Sequence, residues 1–137
     1  MSAWTSDELD RIGSADELKI ASLRSDGTLR KPKIIWVVRV GDDLYVRSAY
    51  GLEAPWFRGT QVRHEGRIWA GGIEKDVIFE DVAETEAGIH DRLDDAYRAK
   101  YGRYPESYVM PVVSALSRTV TLKLVPRSIT QPGRTKC

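Results

Sequence analysis

The sequence predicts a β-rich α+β domain in which six short strands form an antiparallel barrel with helices at its periphery. Three observations carry this. Six segments show either β-branched and aromatic density or strict alternation, and turn residues separate them. Only one long stretch, residues 84–101, changes to the three-and-four spacing of an amphipathic helix. A sheet this small also exposes long edges for its size, and closure into a barrel removes them. At 137 residues the chain is within the range of one domain, expected over 1–126, followed by a flexible polar tail over 127–137.

The elements follow in order. Ser6, Asp7 and Glu8 form a helix start, Leu9 and Ile12 give it one apolar side, and Gly13 offers a stop. After a turn at Ser14, residues 17–23 alternate, with Leu18, Ile20 and Ser22 on one side of a first strand. Ile34 to Val40, interrupted only by Arg39, is dense in β-branched residues around Trp36 and predicts a central strand covered on both faces. Gly41, Asp42 and Asp43 turn the chain into Leu44 to Ser48, its hairpin partner. Trp56 to Val62 predicts one or two helical turns. Gly66 to Ala70 and Ile73 to Val82 predict a second hairpin about Gly71-Gly72. In the long helix Ile89, Leu93, Ala96 and Tyr97 recur on one side, with Gly102 at the C-cap position. A shorter helix within 106–117 requires Pro111 in its first turn. Thr119 to Val125 is a half-buried strand with Val120, Leu122 and Leu124 inward.

Composition excludes several classes of function. Hydrophobic residues are 42% and charged residues 30%, which removes the low-hydrophobicity signature of disorder. Lys and Arg number 21 against 20 Asp and Glu, so the net charge of +1 supplies no global field for nucleic acid or an anionic membrane, and any anion site must be local. Cys137 is the only cysteine, which precludes an intrachain disulfide and a multi-cysteine metal site. The N-terminus MSAWTSDELDRIG lacks an apolar core and no run is long enough to span a bilayer, so a cytoplasmic setting is expected. His64 and His90 belong to no metal or triad pattern, and no metal is expected.

DGTLRKPKIIWVVRVGDDLYVRSAYG, followed by Pro55-Trp56, resembles the flavin- and deazaflavin-binding split β-barrel superfamily. Its Gly-x-x-Arg loop, aromatic-centred strand, Gly-Asp turn, Tyr-Val strand and Ser loop are matched by Gly27 and Arg30, Trp36, Gly41 and Asp42, Tyr45 and Val46, and Ser48 and Gly51. The longer phrases IWVVRVGDDLYVRS, GRIWAGGIEKDVIFE and DAYRAKYGRYP resemble a bacterial family of domains of unknown function, number 2255, from about Trp4 to Pro126. The resemblance implies a six-stranded antiparallel split β-barrel, a homodimer, and a flavin-type nucleotide, FMN or deazaflavin, near the subunit interface. An oxidoreductase is the corresponding activity. Where deazaflavin-binding relatives carry Lys in the Ser loop and His before Pro-Trp, this chain has Ala49 and Ala54. That departure favours an alternative, a small-molecule binding module or cofactor-free enzyme using the same cleft.

The candidate cofactor-binding residues are Arg30, Lys31, Lys33, Arg47, Ser48, Tyr50, Gly51 and Trp56. Arg30, Lys31 and Lys33 suit phosphate, through a guanidinium fork and ammonium point charges, or serve as a solvated loop that resists aggregation. Arg47 and Ser48 add a charge and a hydroxyl, and Gly51 permits close backbone approach, or the three are plain turn chemistry. Trp56 and Tyr50 suit a flat ring or a dimer contact, whereas Trp36 fits the core better. Tyr97, Tyr101, Tyr104 and Tyr108, interleaved with Arg98, Lys100 and Arg103, are read first as core and dimer packing and second as substrate contact. Single-stranded nucleic acid is a remote alternative, and no nucleic-acid partner is expected. No catalytic residue is assigned.

Overall fold

A computed structural model describes residues 4–127. Beyond Arg127, the expected tail lies outside the described residues. The chain runs α1 (Ser6–Ser14), β1 (Leu18–Ser22), β2 (Lys33–Ile35), β3 (Val38–Val40), β4 (Asp43–Arg47), α2 (Pro55–Arg63), β5 (Glu65–Ala70), β6 (Ile73–Asp81), α3 (Ala87–Tyr101), α4 (Glu106–Val113) and β7 (Thr121–Pro126), with 3-10 turns at Gly51–Glu53 and Leu116–Val120. No helix among the described residues is long and apolar enough to cross a membrane.

Local chemistry sets the element ends. Thr5 caps α1 in a reciprocal capping box with Glu8, and the helix starts at Ser6 as read from sequence. Gly71 and Gly72 join β5 to β6 at φ +57° and +83°, and a Cβ on Gly71 would lie 2.3 Å from the Arg11 carbonyl, so both conformation and space select glycine there. Pro111 is the sixth residue of α4 rather than in its first turn. Its missing amide would have served the carbonyl of Ser107, an exposed residue open to water, and α4 ends two residues later at Val113.

The sheet has seven strands rather than six, in the order β2-β1-β5-β6-β7-β4-β3, and every neighbouring pair is antiparallel. The extra strand comes from the run read as one central strand. Residues 34–40 break at Trp36-Val37, and the halves β2 and β3 form the two ends of the strand order. Ile34 is half exposed, contrary to a strand covered on both faces, whereas Val37, Val38 and Val40 are buried. Geometry then dictates curvature. The three Cα steps from Ile35 to Val38 reach at most ~11 Å, whereas seven strands laid flat span ~29 Å. The sheet must therefore curl until its edges meet at this dipeptide, which gives the split barrel its shape.

The break is held from α3. The Tyr101 hydroxyl accepts from the Val37 amide at 3.2 Å and lies 2.8 Å from the Asp16 carbonyl and 3.1 Å from that of Val37. Lys100 Nζ donates to the same Val37 carbonyl at 2.7 Å. The Trp36 indole stacks on Tyr101 with centroids 4.0 Å apart and planes 5° from parallel. A peptide that has left the ladder would otherwise hold unpaired buried groups. One apolar cluster, including Ile20, Leu44, Ile68, Phe79 and Leu122, fills the barrel. A second, Val38, Val40, Tyr45, Leu93, Tyr97, Tyr101 and Val112, glues α3 and α4 to the β3-β4 side. Tyr97 and Tyr101 are thus core residues, as their i, i+4 spacing suggested.

Burial lowers the Lys100 pKa to about 8, Arg103 adding to the fall and Asp16 opposing it. Burial raises the phenols of Tyr97 and Tyr101. Between pH 8 and 10 the unfolded chain holds the Lys100 proton that the folded chain releases, so stability rises with pH. Above 10 the folded phenols keep protons the unfolded chain loses, so stability falls. Urea titrations should show this maximum, and Lys100→Met should flatten its rising limb. Tyr101→Phe removes the acceptor of the Val37 amide, while Lys100 still serves the Val37 carbonyl, and should cost about 1–3 kcal/mol, whereas Tyr104→Phe should cost little.

Candidate functional site

A cavity of about 1210 Å³ opens beside the barrel between β1, residues 30–36, the 49–56 loop and α4. It is roomy by the standard of small-molecule sites, which occupy roughly 300–1,000 Å³. Its floor and walls differ in chemistry, and the sequence accounts for each part.

The cations come from the loop that brings β1 round to β2. Asp26 and Gly27 turn this loop, with Gly27 at φ +91° and Thr28 bonding Asp26 through its amide and its hydroxyl. The turn delivers Arg30, Lys31 and Lys33 to the cavity wall. Most other Arg and Lys side chains bridge to a carboxylate, as Arg39 does to Asp10, Arg67 to Asp76 and Lys75 to Glu8. Arg30, Lys31 and Lys33 make no side-chain hydrogen bond or ion pair among the described residues. Arg24, also in the wall, donates to Thr28 Oγ1 and the Leu29 carbonyl and bridges to no carboxylate. Glu53 is the sole acidic residue of the lining. The wall is therefore an uncompensated cationic surface within a chain that is nearly neutral overall.

Four aromatic side chains face it: Trp36, Tyr50, Trp56 and Tyr108. Trp36 is fixed by its stack on Tyr101, and Trp56 meets Phe57 edge to face with centroids 5.9 Å apart. Tyr50 and Tyr108 project at the rim, 82% and 61% exposed, and have area to give to a ligand or a second chain. Trp69 lies apart, beside Lys19 and Ile34 on another depression.

Three of the residues read as binding candidates play other parts in the geometry. Arg47 contributes to the cavity lining, but its side chain has no exposure and its guanidinium is taken up by the protein. Its Nε donates to Thr121 Oγ1 at 3.0 Å, Nη1 to Asp94 and to the Val112 carbonyl at 2.7 Å, and Nη2 to His90 Nδ1 at 3.0 Å and the His90 carbonyl at 3.5 Å. All five N–H groups have protein acceptors, so the guanidinium has no donor left for a ligand. Because it cannot accept, His90 Nδ1 is the acceptor, and His90 Nε2–H donates to the Ala83 carbonyl at 2.9 Å. Arg118 completes the network, bridging Asp94 at 2.7 Å and Asp91 at 2.8 Å. Ser48 is buried, and its hydroxyl donates to the Gly51 carbonyl at 2.7 Å. Gly51, at φ +72°, shapes that turn and backs onto Leu116. Arg47 thus joins β4 and β7 to α3 and α4, while Ser48 and Gly51 shape the loop that presents Tyr50 and Trp56. Among the described residues no group of three or more His, Cys, Asp or Glu side chains is placed to hold a metal ion.

Ala49 and Ala54, the two departures noted from sequence, line the cavity, and so do Tyr108 of the tyrosine-rich segment and Ser22, which the sequence placed in the first strand but not at a binding site. The signal for Ser22 is faint: a hydroxyl where the Leu18, Ile20 alternation predicts an apolar side chain.

Comparison with known proteins gives the fold a context. Residues 8–124 match the family described as "Uncharacterized protein conserved in bacteria (DUF2255)", and the chain belongs to that family. No curated protein matches it. Among solved structures, an F420 reductase superposes with a TM-score of 0.57 at 16% identity, over 88% of this chain and 93% of that one. A Listeria innocua protein classed as a candidate pyridoxamine 5′-phosphate oxidase gives 0.59 at 15% identity, over 88% and 90%. The heme storage protein HutZ of Vibrio cholerae gives 0.60 at 12% identity, over 93% and 92%. Identities this low establish a shared split-barrel fold.

Replacing Arg47 by Met should destabilise the fold by roughly 3–5 kcal/mol, because it strips buried acceptors and leaves Asp94 with Arg118 alone. Asp94→Asn should cost a similar amount, because it leaves the wholly buried Arg47 guanidinium without its carboxylate, and urea midpoints of the two variants check both.

Proposed function

We propose that this member of the family binds a flavin-type nucleotide, FMN or a deazaflavin, in the cavity beside its barrel, and that it works as a homodimeric cytoplasmic oxidoreductase. The observation that carries the reading is the meeting of unpaired cations with an aromatic wall. Arg30, Lys31 and Lys33 have no carboxylate partner among the described residues, and they share one cavity with Trp36, Tyr50, Trp56 and Tyr108. A planar ring with a phosphorylated tail needs that pair of surfaces: flat apolar area for the ring and concentrated positive charge for the phosphate. Arg30 grips the phosphate with its fork while Lys31 and Lys33 add point charge. Trp56 and Tyr50 flank the ring, and Arg47, Ser48 and Gly51 hold the floor and loop beneath it. When bound, the flavin supplies the hydride chemistry; the chain binds, orients and shields it. An F420 reductase and a candidate pyridoxamine 5′-phosphate oxidase among proteins of the same fold add support by analogy.

The exposed Tyr50, Leu52, Tyr108 and Leu116 favour the homodimer, because a second copy laid over these apolar side chains also covers the open side of the cavity. A second reading, a small-molecule binder or cofactor-free enzyme in the same cleft, draws on Ala49 and Ala54. Both line the cavity and offer only methyl groups.

Protein purified from its native host, or reconstituted with FMN, should show a bound visible absorbance band. Lys31→Gln with Lys33→Gln should weaken FMN by about 10-fold or more, the worth of a charge-assisted contact. Absence of binding to FMN and to deazaflavin, with thermal shifts from unphosphorylated metabolites instead, would decide for the second reading.

A further inference from the structure

We infer that Ser22 and Arg30 form a slot at the inner end of the cavity that receives a terminal phosphate monoester. The inference rests on the nucleotide reading above and adds the residue that selects the phosphorylated form. Ser22 is only 4% exposed, yet its hydroxyl has no hydrogen-bond partner, and Arg30 Nε is likewise buried and unpaired. Leaving a buried polar group without a partner costs roughly 1–3 kcal/mol, so two at one place in a cavity wall call for a missing partner.

The two groups are neighbours by construction. The Arg30 amide donates to the Ser22 carbonyl at 2.9 Å, which pins the end of the loop to the end of β1. Both side chains then meet α2 at Gly59. A Cβ on Gly59 would stand 2.4 Å from Ser22 Oγ, 3.0 Å from Arg30 Nε and 3.0 Å from Arg30 Cδ. Only glycine lets the helix approach this closely. Ser22 Oγ and the Arg30 side chain therefore pack side by side against Gly59, both residues line the cavity, and Arg30 Nε faces no acceptor. An arriving phosphate supplies acceptors for both groups. The guanidinium turns its Nε–Nη edge to two phosphate oxygens, and the Ser22 hydroxyl donates to a phosphate oxygen. Lys31 and Lys33 share the wall and balance the dianion, and the nearest competing charge in the lining is the single carboxylate of Glu53.

A phosphate monoester uses this slot better than a neutral tail does, because a neutral hydroxyl cannot accept from fork and hydroxyl at once. The slot consequently discriminates FMN from riboflavin, which carries the same ring without the phosphate.

The test titrates the full chain with inorganic phosphate, FMN and riboflavin, read by phosphorus NMR line width and by tryptophan fluorescence. Wild type should bind phosphate and prefer FMN to riboflavin. Ser22→Ala, a small change that leaves the backbone pairing intact, should weaken phosphate and FMN roughly 10-fold, the order of one hydrogen bond to a charged group, and leave riboflavin unchanged. Arg30→Lys keeps the charge but loses the fork and should do the same. FMN and riboflavin bound equally by wild type, or undiminished phosphate and FMN binding in both variants, overturns the slot while the flavin reading stands. Phosphate binding that depends on Ser22 and Arg30, with neither flavin bound, upholds the slot and removes the flavin. Binding of none of the three removes both.

Discussion

The two-residue passage from β2 to β3 is the constraint on which the architecture depends. A chain that leaves one end of a seven-strand order and enters the other within a few ångströms forces the sheet to close on itself. Closure leaves Val37 outside the ladder, and its amide and carbonyl are met by Tyr101 and Lys100 from α3. The helix layer is therefore joined to the barrel by polar anchoring at the point where the barrel meets itself, and apolar packing of Leu93, Tyr97 and Tyr101 extends from that point. The cavity inherits the arrangement, since Trp36, one residue before the break, is both stacked on Tyr101 and part of its wall.

A second polar centre does comparable work below the cavity. Arg47 of β4 gathers Thr121, Asp94, Val112 and His90, so β7, α3 and α4 converge on one guanidinium whose donors are all used. Such a network is costly to desolvate and gains its value from completeness. It also separates two kinds of arginine within this small domain. Arg47 is saturated and architectural, whereas Arg30 lies in the cavity wall with an unpaired Nε. Burial and partner count distinguish them, while residue type does not.

Much of the fold was legible because its signals are local. The Gly41-Asp42 and Gly71-Gly72 hairpins, the period of α3 and the alternation of β7 each express a nearest-neighbour rule and are present, although α3 starts at Ala87 and Thr119-Val120 belong to a 3-10 turn before β7. The misreadings have physical causes. Ile34 to Val40 reads as one strand because β-branched density records extended backbone and burial, and both halves are extended; nothing local reports that they pair with different neighbours. Pro111 is tolerated in α4 because its orphaned carbonyl belongs to an exposed residue, a matter of surroundings that a proline rule does not contain.

The same division runs through the candidate site. Residue order alone determined that cations crowd one loop, that an aromatic segment follows a turn, and that the chain is too evenly charged for a global anion field. Those properties are fixed by covalent adjacency and counting. Only the tertiary structure decided that the Arg47 donors are all taken by protein acceptors while Arg30, Lys31 and Lys33 line the cavity without partners, and that Ser22 and Arg30 both pack against Gly59, far from Ser22 in sequence. Hydrogen-bond partners and burial arise when distant segments are brought together, and a one-dimensional pattern carries no record of which donors that folding has already satisfied.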